Sequence, residues 1–444
     1  MLHVLSNRTY RHLFVAQVLA LIGTGLATVA LGLLAYDIAG GDAGAVLGTA
    51  LAIKMIAYVG VAPIAGAFAD RLPRKALLVA LDLVRAGVAI FLPFVTQVWQ
   101  VYLLIFVLQS ASAAFTPTFQ ATIPDVLPEE AEYTRALSLS RLAYDMESLT
   151  SPILAAALLT VVNFHWLFSG TAIGFLASAA LVVTAVLPRP IAKVGSERGI
   201  YRKTTLGIRI YLRTPRLRGL LAVTLAAASA SAMVIVNTVV LVGGLGFGQR
   251  EVALTLAAFG AGSMAAAFAL PRLLDRVADR PIMLAASAAL VACLTILATI
   301  GTGTAGNTGY WHMLLAGWLL LGIAYSMSVT PGGRLLRRSA QAEDRPALFA
   351  AQFALSHVCW LIAYPLAGQV GARIGMQAAF ATMAVLAAIG FVASLWLWPA
   401  QDPEAMPHRH DDLPAGHPHL REGHSEATSH AFVIDDLHPR WPRS

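Results

Sequence analysis

Twelve stretches of this chain stay apolar for about the thickness of a hydrocarbon core, with little chain between them, and that pattern leaves few folds open. A helix rising about 1.5 Å per residue needs about 20 residues to cross such a core. The runs lie near 12–37, 44–68, 76–95, 98–120, 137–160, 164–187, 217–242, 249–270, 281–301, 310–331, 347–371 and 374–398. With 57% hydrophobic and 12% charged residues, too few polar side chains remain to cover a water-soluble domain of 444 residues. Lipid offers no partner to backbone polar groups, so the runs must be helices. The expected class is an all-α integral membrane protein. The net charge of +7 is spread over short connections, which excludes the basic stripe of a nucleic-acid binder. Cys293 and Cys359, the only cysteines, both fall inside apolar runs and exclude a disulfide framework. No G-x-x-x-x-G-K-[ST] phosphate loop, hydrolase motif or redox motif occurs, so no enzyme activity and no cofactor are expected. Arg8 and Arg11 precede the first run without a small-residue cleavage site, so that helix is expected to be retained.

Positively charged connections stay on the cytoplasmic side of a membrane. Alternate connections here carry Arg71, Arg74 and Lys75, then Arg189 through Arg218, then Arg272, Arg276 and Arg280, then Arg334, Arg337, Arg338 and Arg345. The intervening ones hold only Arg250 and Arg373. Twelve spans then put both termini in the cytoplasm. The one long inner connection, 188–216, is basic and bounded by prolines, and it divides the spans six and six. Two six-helix units imply a pseudo-twofold bundle with a substrate path between them. The expected organisation is an N-terminal bundle over 1–187, a basic linker over 188–216, a C-terminal bundle over 217–399, and a tail over 400–444.

The connection between spans 2 and 3 reads Gly66-Ala67-Phe68-Ala69-Asp70-Arg71-Leu72-Pro73-Arg74-Lys75. It resembles the signature loop of the major facilitator superfamily, G-x-x-x-D-R-x-G-R-R/K, with Pro73 in place of the usual glycine. The resemblance implies the twelve-helix major facilitator fold, transport by alternating access, and a gating role for Gly66, Asp70, Arg71, Arg74 and Lys75. In the second half only Asp275-Arg276 remains of this loop. The superfamily's G-P-x-x-G-G of antiporters is reduced to Ser151-Pro152-Ile153-Leu154-Ala155-Ala156, and its R-x-x-Q-G to Gln109-Ser110. A narrower resemblance, to NreB-type nickel-resistance exporters, rests on Arg141 through Glu147, on Ser356-His357-Val358-Cys359-Trp360 and on the tail. It implies efflux of a divalent cation, Ni²⁺ or Co²⁺, across the inner membrane of a bacterial cell, with protons as the exchanged ion.

Ionised groups at mid-membrane cost about 2.5–3.5 kcal/mol each on insertion scales, so they mark a cavity, a partner or a function. Span 5 carries Arg141, Asp145 and Glu147. Arg141 and Asp145 are four apart and can pair on one helix face; Glu147 lies about 200° from Asp145 and needs another partner. Lys54 in span 2 is a candidate partner for Glu147 or Asp37, and Asp82 with Arg85 reads as a structural pair. His357 and Cys359 occupy nearly the repeat-equivalent part of span 11, where His357 reads either as a substrate or proton group or as a buried histidine bonded to a neighbouring helix. Asp145, Glu147, His357, Lys54 and Arg141 are thus the candidate transport and proton-coupling residues.

Seven of twelve histidines fall in the tail: His408, His410, His417, His419, His424, His430 and His438. Paired histidines with nearby carboxylates suit a divalent metal, and the polar composition suggests no fixed structure without one. The leading expectation is therefore a nickel exporter. An exporter of an organic compound, a drug or siderophore, with a metal-buffering tail is the alternative, and a membrane metal sensor a third.

Overall fold

The computed structural model describes residues 2–68, 73–187, 200–300, 306–341, 344–402, 405–408, 428–434, 438 and 441. Six helices form the first half: α1 (Arg8–Ala39), α2 (Ala43–Phe68), α3 (Arg74–Phe91), α4 (Val98–Val126), α5 (Glu130–Leu158) and α6 (His165–Thr184). A further helix, α7 (Ile200–Arg213), lies in the linker. The second half holds α8 (Pro215–Gly244), α9 (Gln249–Leu274), α10 (Asp279–Ile300), α11 (Thr308–Val329), the short α12 (Gly332–Arg338), α13 (Arg345–Arg373) and α14 (Met376–Leu397). Among the described residues, leaving out α7 and α12, twelve helices are long enough to cross a bilayer, and they match the twelve apolar runs.

Local chemistry sets the boundaries. The Asn7 side chain accepts from Tyr10 N at 3.1 Å and starts α1, and Asn307 accepts from Tyr310 N at 2.9 Å at the start of α11. Pro215 opens α8, where its missing N–H is not needed. Gly40 ends α1 at φ 52°, a conformation that lets the chain reverse into α2. Outward faces carry Phe94, Ile173, Phe268 and Trp396, all exposed, as lipid-facing positions require. Among the described residues, length and apolarity alone pick out ten membrane-crossing segments, one of which spans both α1 and α2; α5 is missed because it is the charged helix.

The halves repeat one packing scheme. In the first, α1 packs on α6 and α5, α3 on α6 and α4, and α2 on α4; in the second, α8 packs on α14 and α13, α10 on α14 and α11, and α9 on α11. Each pairing has its counterpart six spans later. Across the interface α2 meets α13 and α5 meets α9, again a symmetry-related pair. One face of the bundle carries the start of α1 and the end of α14 and is called here the terminal face. At the opposite face the halves close tightly: a Cβ on Gly368 of α13 would collide with the Gly44 carbonyl of α2, and one on Gly44 would come within 2.7 Å of Asn237 Oδ1 of α8. Small residues thus let the backbones touch. Gln369 Nε2 donates to Thr49 Oγ1 at 3.4 Å across this seam, and Asn237 Nδ2 to Ala367 O at 3.0 Å beside it, within the second half.

Two regions carry structure that the sequence reading did not place. The linker is more than a connection, because α7 packs along α13, with Tyr211 Oη donating to Gln352 and Gly207 pressed on the Ala347 carbonyl. Nor is the tail without structure where it is described. Strands β1 (Ala405–His408) and β2 (Thr428–Ala431) pair antiparallel, with Met406 opposite His430 and His408 opposite Thr428. Beyond β2, Phe432 and Ile434 enter an apolar cluster with Tyr211, Leu217, Leu220, Leu335, Leu348 and Trp398, and Trp441 packs against it. Arg216 holds the segment by donating to Phe432 O at 3.3 Å, by its ion pair with Asp402 at 3.3 Å, and by lying 5.0 Å from the Trp441 ring centre. A polar average concealed three buried apolar residues, Phe432, Val433 and Ile434.

Candidate functional site

The ionic centre starts on α5. Glu147 and, one turn on, Ser151 lie against Gly25 of α1: a Cβ there would overlap the Ser151 side chain and come within 2.9 Å of Glu147 Oε1. Lack of a side chain at position 25 therefore makes the room for the acid. Lys54 on α2 is the counter-charge of Glu147. The two act on each other through space, without a direct ion pair among the described residues.

Beside Lys54 a narrow cavity runs between α1, α2 and α4, lined by Thr24, Thr28, Leu51, Gln109 and Ser112 among others. It adjoins a second one, sharing Thr24 and Ser112, that reaches Gln17, Tyr58, Arg85 and Phe115. The hydroxyls of Thr24 and Thr28 donate back to their own helix, to Ala20 O and Thr24 O at 3.0 Å each, so toward the cavity they can only accept. Among the described residues Gln109 Oε1 and Ser151 Oγ are buried with no bonding partner.

From Lys54 the site continues across the interface as aromatic rings. Its Nζ lies 5.9 Å from the Tyr58 ring centre. Tyr58 stacks on His357 of α13, centres 5.4 Å apart and planes 7° from parallel, and lies 5.8 Å from Phe353. His357 Nδ1 bonds to Phe353 O at 2.6 Å; a carbonyl only accepts, so Nδ1 carries the proton. Trp360, 6.1 Å from His357, is fixed by its indole N–H to Ser231 Oγ of α8 at 2.9 Å. Lys54, Glu147 and His357 thus fall in one mid-depth region. Cys359 turns away from it, its Sγ within 4.0 Å of Leu221 O on α8. The side chains of Arg141 and Asp145 lie outside the described residues.

A second ionic pair, Asp82 with Arg85, is wholly inside the first half. Asp82 also accepts from Ser178 Oγ at 2.7 Å, and the Arg85 guanidinium lies between the rings of Phe115 and Phe175, at 4.2 and 4.5 Å. These contacts suit a structural pair. In the loop of the facilitator resemblance, Asp70 and Arg71 lie outside the described residues and Gly66 falls near the end of α2. Arg74 pairs with Asp125 at the end of α4, and Lys75 Nζ donates to Ala185 O at 2.9 Å after α6, so both tie α3 within its own half.

The metal expectation finds no ligand set. Among the described residues no three His, Cys, Asp or Glu side chains gather as a metal site. Of the tail histidines, His410, His417, His419 and His424 lie outside the described residues, and only the backbone strands are described at His408 and His430. His438 is buried, its ring 4.8 Å from that of Phe432, which is packing rather than a free ligand position.

Tyr58 and Ser112 were not singled out from sequence, and Gln109 and Trp360 appeared there only as parts of family motifs. Spacing was the available signal: Tyr58 is four residues from Lys54 and Trp360 three from His357, each on the same helix face.

The family model described as Major Facilitator Superfamily matches residues 13–309 and 219–433. An uncharacterized MFS-type transporter of Bacillus subtilis (strain 168), YfiS, is 30% identical over 127 residues, 29% of this chain and 30% of that protein. Macrolide efflux protein A of Streptococcus pyogenes is 26% identical over 153 residues, 32% of this chain and 38% of that protein. The chain thus spans about a third of the length of these curated relatives. Among solved structures, a point mutant of the nucleoside transporter NupG superposes with TM-score 0.67 at 16% identity, covering 88% of this chain and 100% of that one. A D-xylose-proton symporter gives 0.64 at 14%, covering 88% and 97%.

Proposed function

The chain belongs to the major facilitator superfamily, and from that premise we propose that it exports an organic compound from the cytoplasm by alternating access, in exchange for protons. The observation that carries this reading is the composition of the centre: three aromatic rings and an imidazole meet at the interface of the halves, beside a single lysine–glutamate pair. Rings of this kind offer apolar faces to an organic molecule, whereas a bare divalent ion needs several converging donors. The likeness to a macrolide efflux protein points the same way. A divalent cation as cargo has no support among the described residues.

In this reading the protein sits in the inner membrane of a bacterial cell, and the terminal face, rich in Arg and Lys, is cytoplasmic. The tight seam between α2 and α13 closes the outer side, so cargo enters from the cytoplasm, and rocking of the halves opens the far side. The Lys54–Glu147 pair handles the exchanged proton, and His357 and Tyr58 line the moving interface. Metal-depleted and metal-loaded cells, with and without the protein, would be scored for accumulation of ethidium, chloramphenicol, Ni²⁺ and Co²⁺. Lower accumulation of an organic compound, lost in Glu147→Gln at equal membrane levels, is expected. Lower accumulation of Ni²⁺ or Co²⁺ alone would overturn the proposal.

A further inference from the structure

Lys54 is a cation that the protein places in its own binding region. Its ammonium lies against the Tyr58 ring and is the counter-charge of Glu147, and several groups in the walls around it are placed to accept hydrogen bonds. Thr24 and Thr28 have spent their protons on their own helix, and the buried Gln109 Oε1 has no donor among the described residues. An acid, a ring face and unfilled acceptors are together complementary to a second ammonium. We infer that the cargo is an organic cation, and that its positively charged nitrogen takes the place of the Lys54 ammonium between Tyr58 and Glu147. The inference rests on the export of organic compounds proposed above and names the class.

Charge conservation gives the consequence. One carboxylate at mid-membrane can offset one positive charge, and a second uncompensated cation there is costly. When the organic cation pairs with Glu147, the Lys54 ammonium gives up a proton to water on the cytoplasmic side and remains as the neutral amine. When the cargo leaves on the other side, the amine takes a proton from that side and recovers its place by Glu147. Each cycle thus moves one organic cation out and one proton in, with no net charge crossing. Among the described residues, the groups that face this exchange are few. On α5 it is Glu147, on α2 Tyr58, and on α13 His357, which stacks on Tyr58 with Nδ1 held by Phe353 O. The linings from α1 and α4 supply threonines, Gln109 and Ser112, with no titratable group. Arg85 of α3 borders the adjoining cavity but is neutralised by Asp82.

The test is proton release from the full-length purified protein in weakly buffered detergent as it binds ethidium, with chloramphenicol as the neutral probe and Ni²⁺ as the metal probe. Wild-type protein is expected to release about one proton per ethidium bound. In Lys54→Met the carboxylate has lost its built-in counter-ion, so ethidium should bind about tenfold more tightly and release none. Glu147→Gln should lose ethidium binding by at least about tenfold, and Lys54→Met/Glu147→Gln should behave like it. Size-exclusion profiles and circular dichroism separate these effects from misfolding, and wild-type release alone decides if a variant does not fold. Binding of ethidium by wild type without proton release overturns the exchange. Binding of chloramphenicol but not ethidium overturns the cation class while leaving organic export standing, and binding of Ni²⁺ alone removes both.

Discussion

The two halves pack alike and differ in what they bury. The first half places Lys54, Asp82, Arg85 and Glu147 within its helices, and two of its cavities are lined by polar side chains of α1 and α4. The second half buries mostly hydroxyls and an amide, such as Ser231, Asn237, Thr238 and Ser287, each bonded locally or to a neighbouring helix. Its buried charges, Arg216 and Asp279, sit at the terminal ends of α8 and α10, at the membrane margin. A single packing scheme has therefore been filled in two ways. One half carries charge, and the other meets it with a close-packed surface of apolar and hydroxyl side chains.

The sharpest way to break this comparison is to exchange one group from each side. Glu147→Gln is expected to lower proton-driven export by about a hundredfold, the scale of disabling a proton-transfer pair. His357→Phe keeps a ring on Tyr58 and should lower export only a few-fold. Equal losses in vesicles carrying equal amounts of protein would show that the charge function is shared between the halves. Stability gives the next contrast. Asp82→Asn strands Arg85 in a buried site and should destabilise the protein by about 3–5 kcal/mol in detergent unfolding, whereas Ser231→Ala removes one neutral bond to Trp360 and should cost about 1 kcal/mol. If Ser231→Ala proved the more damaging, the second half would depend on its polar bonds more than its packing implies.

A smaller effect sharpens the comparison at the seam. Gly48 of α2 lies directly on the Tyr364 carbonyl of α13, so Gly48→Leu must part the two helices. Cysteines placed at Thr49 and Gln369, which touch in this state, should then lose most of their cross-linking. Unchanged cross-linking would mean that the halves close elsewhere. The smallest expected change is Trp441→Ala, which removes a cation–π contact with Arg216 of about 1 kcal/mol and should speed protease cleavage near residue 432 without altering export.

The spans were legible because lipid imposes one rule on every residue of a crossing helix. Lys54 and Glu147 could be singled out for the same reason: an ion in an apolar run has few explanations. Tyr58 and Trp360 could not, since an aromatic side chain on a membrane helix is as much at home facing lipid, as Trp396 does here, as facing a partner. Their roles depend on which faces of α2 and α13 meet, and that is set by Gly44, Gly48 and Gly368 on different helices. The nickel expectation failed to gain a site for a related reason. A count of histidines says what a segment could bind, but the described part of the tail is shaped by Phe432, Val433 and Ile434, three side chains that composition averaged away.

The seat of Phe432 also bears on how the protein is handled in the laboratory. A chain cut after Asp402 looks like a tidy membrane domain, yet it would strip the cover from Leu217, Leu335 and Trp398 at the water-facing end of the second half. An apolar floor newly open to water is an invitation to self-association. Such a shortened protein would be expected to run as aggregates on size exclusion, for reasons unrelated to its transport cycle.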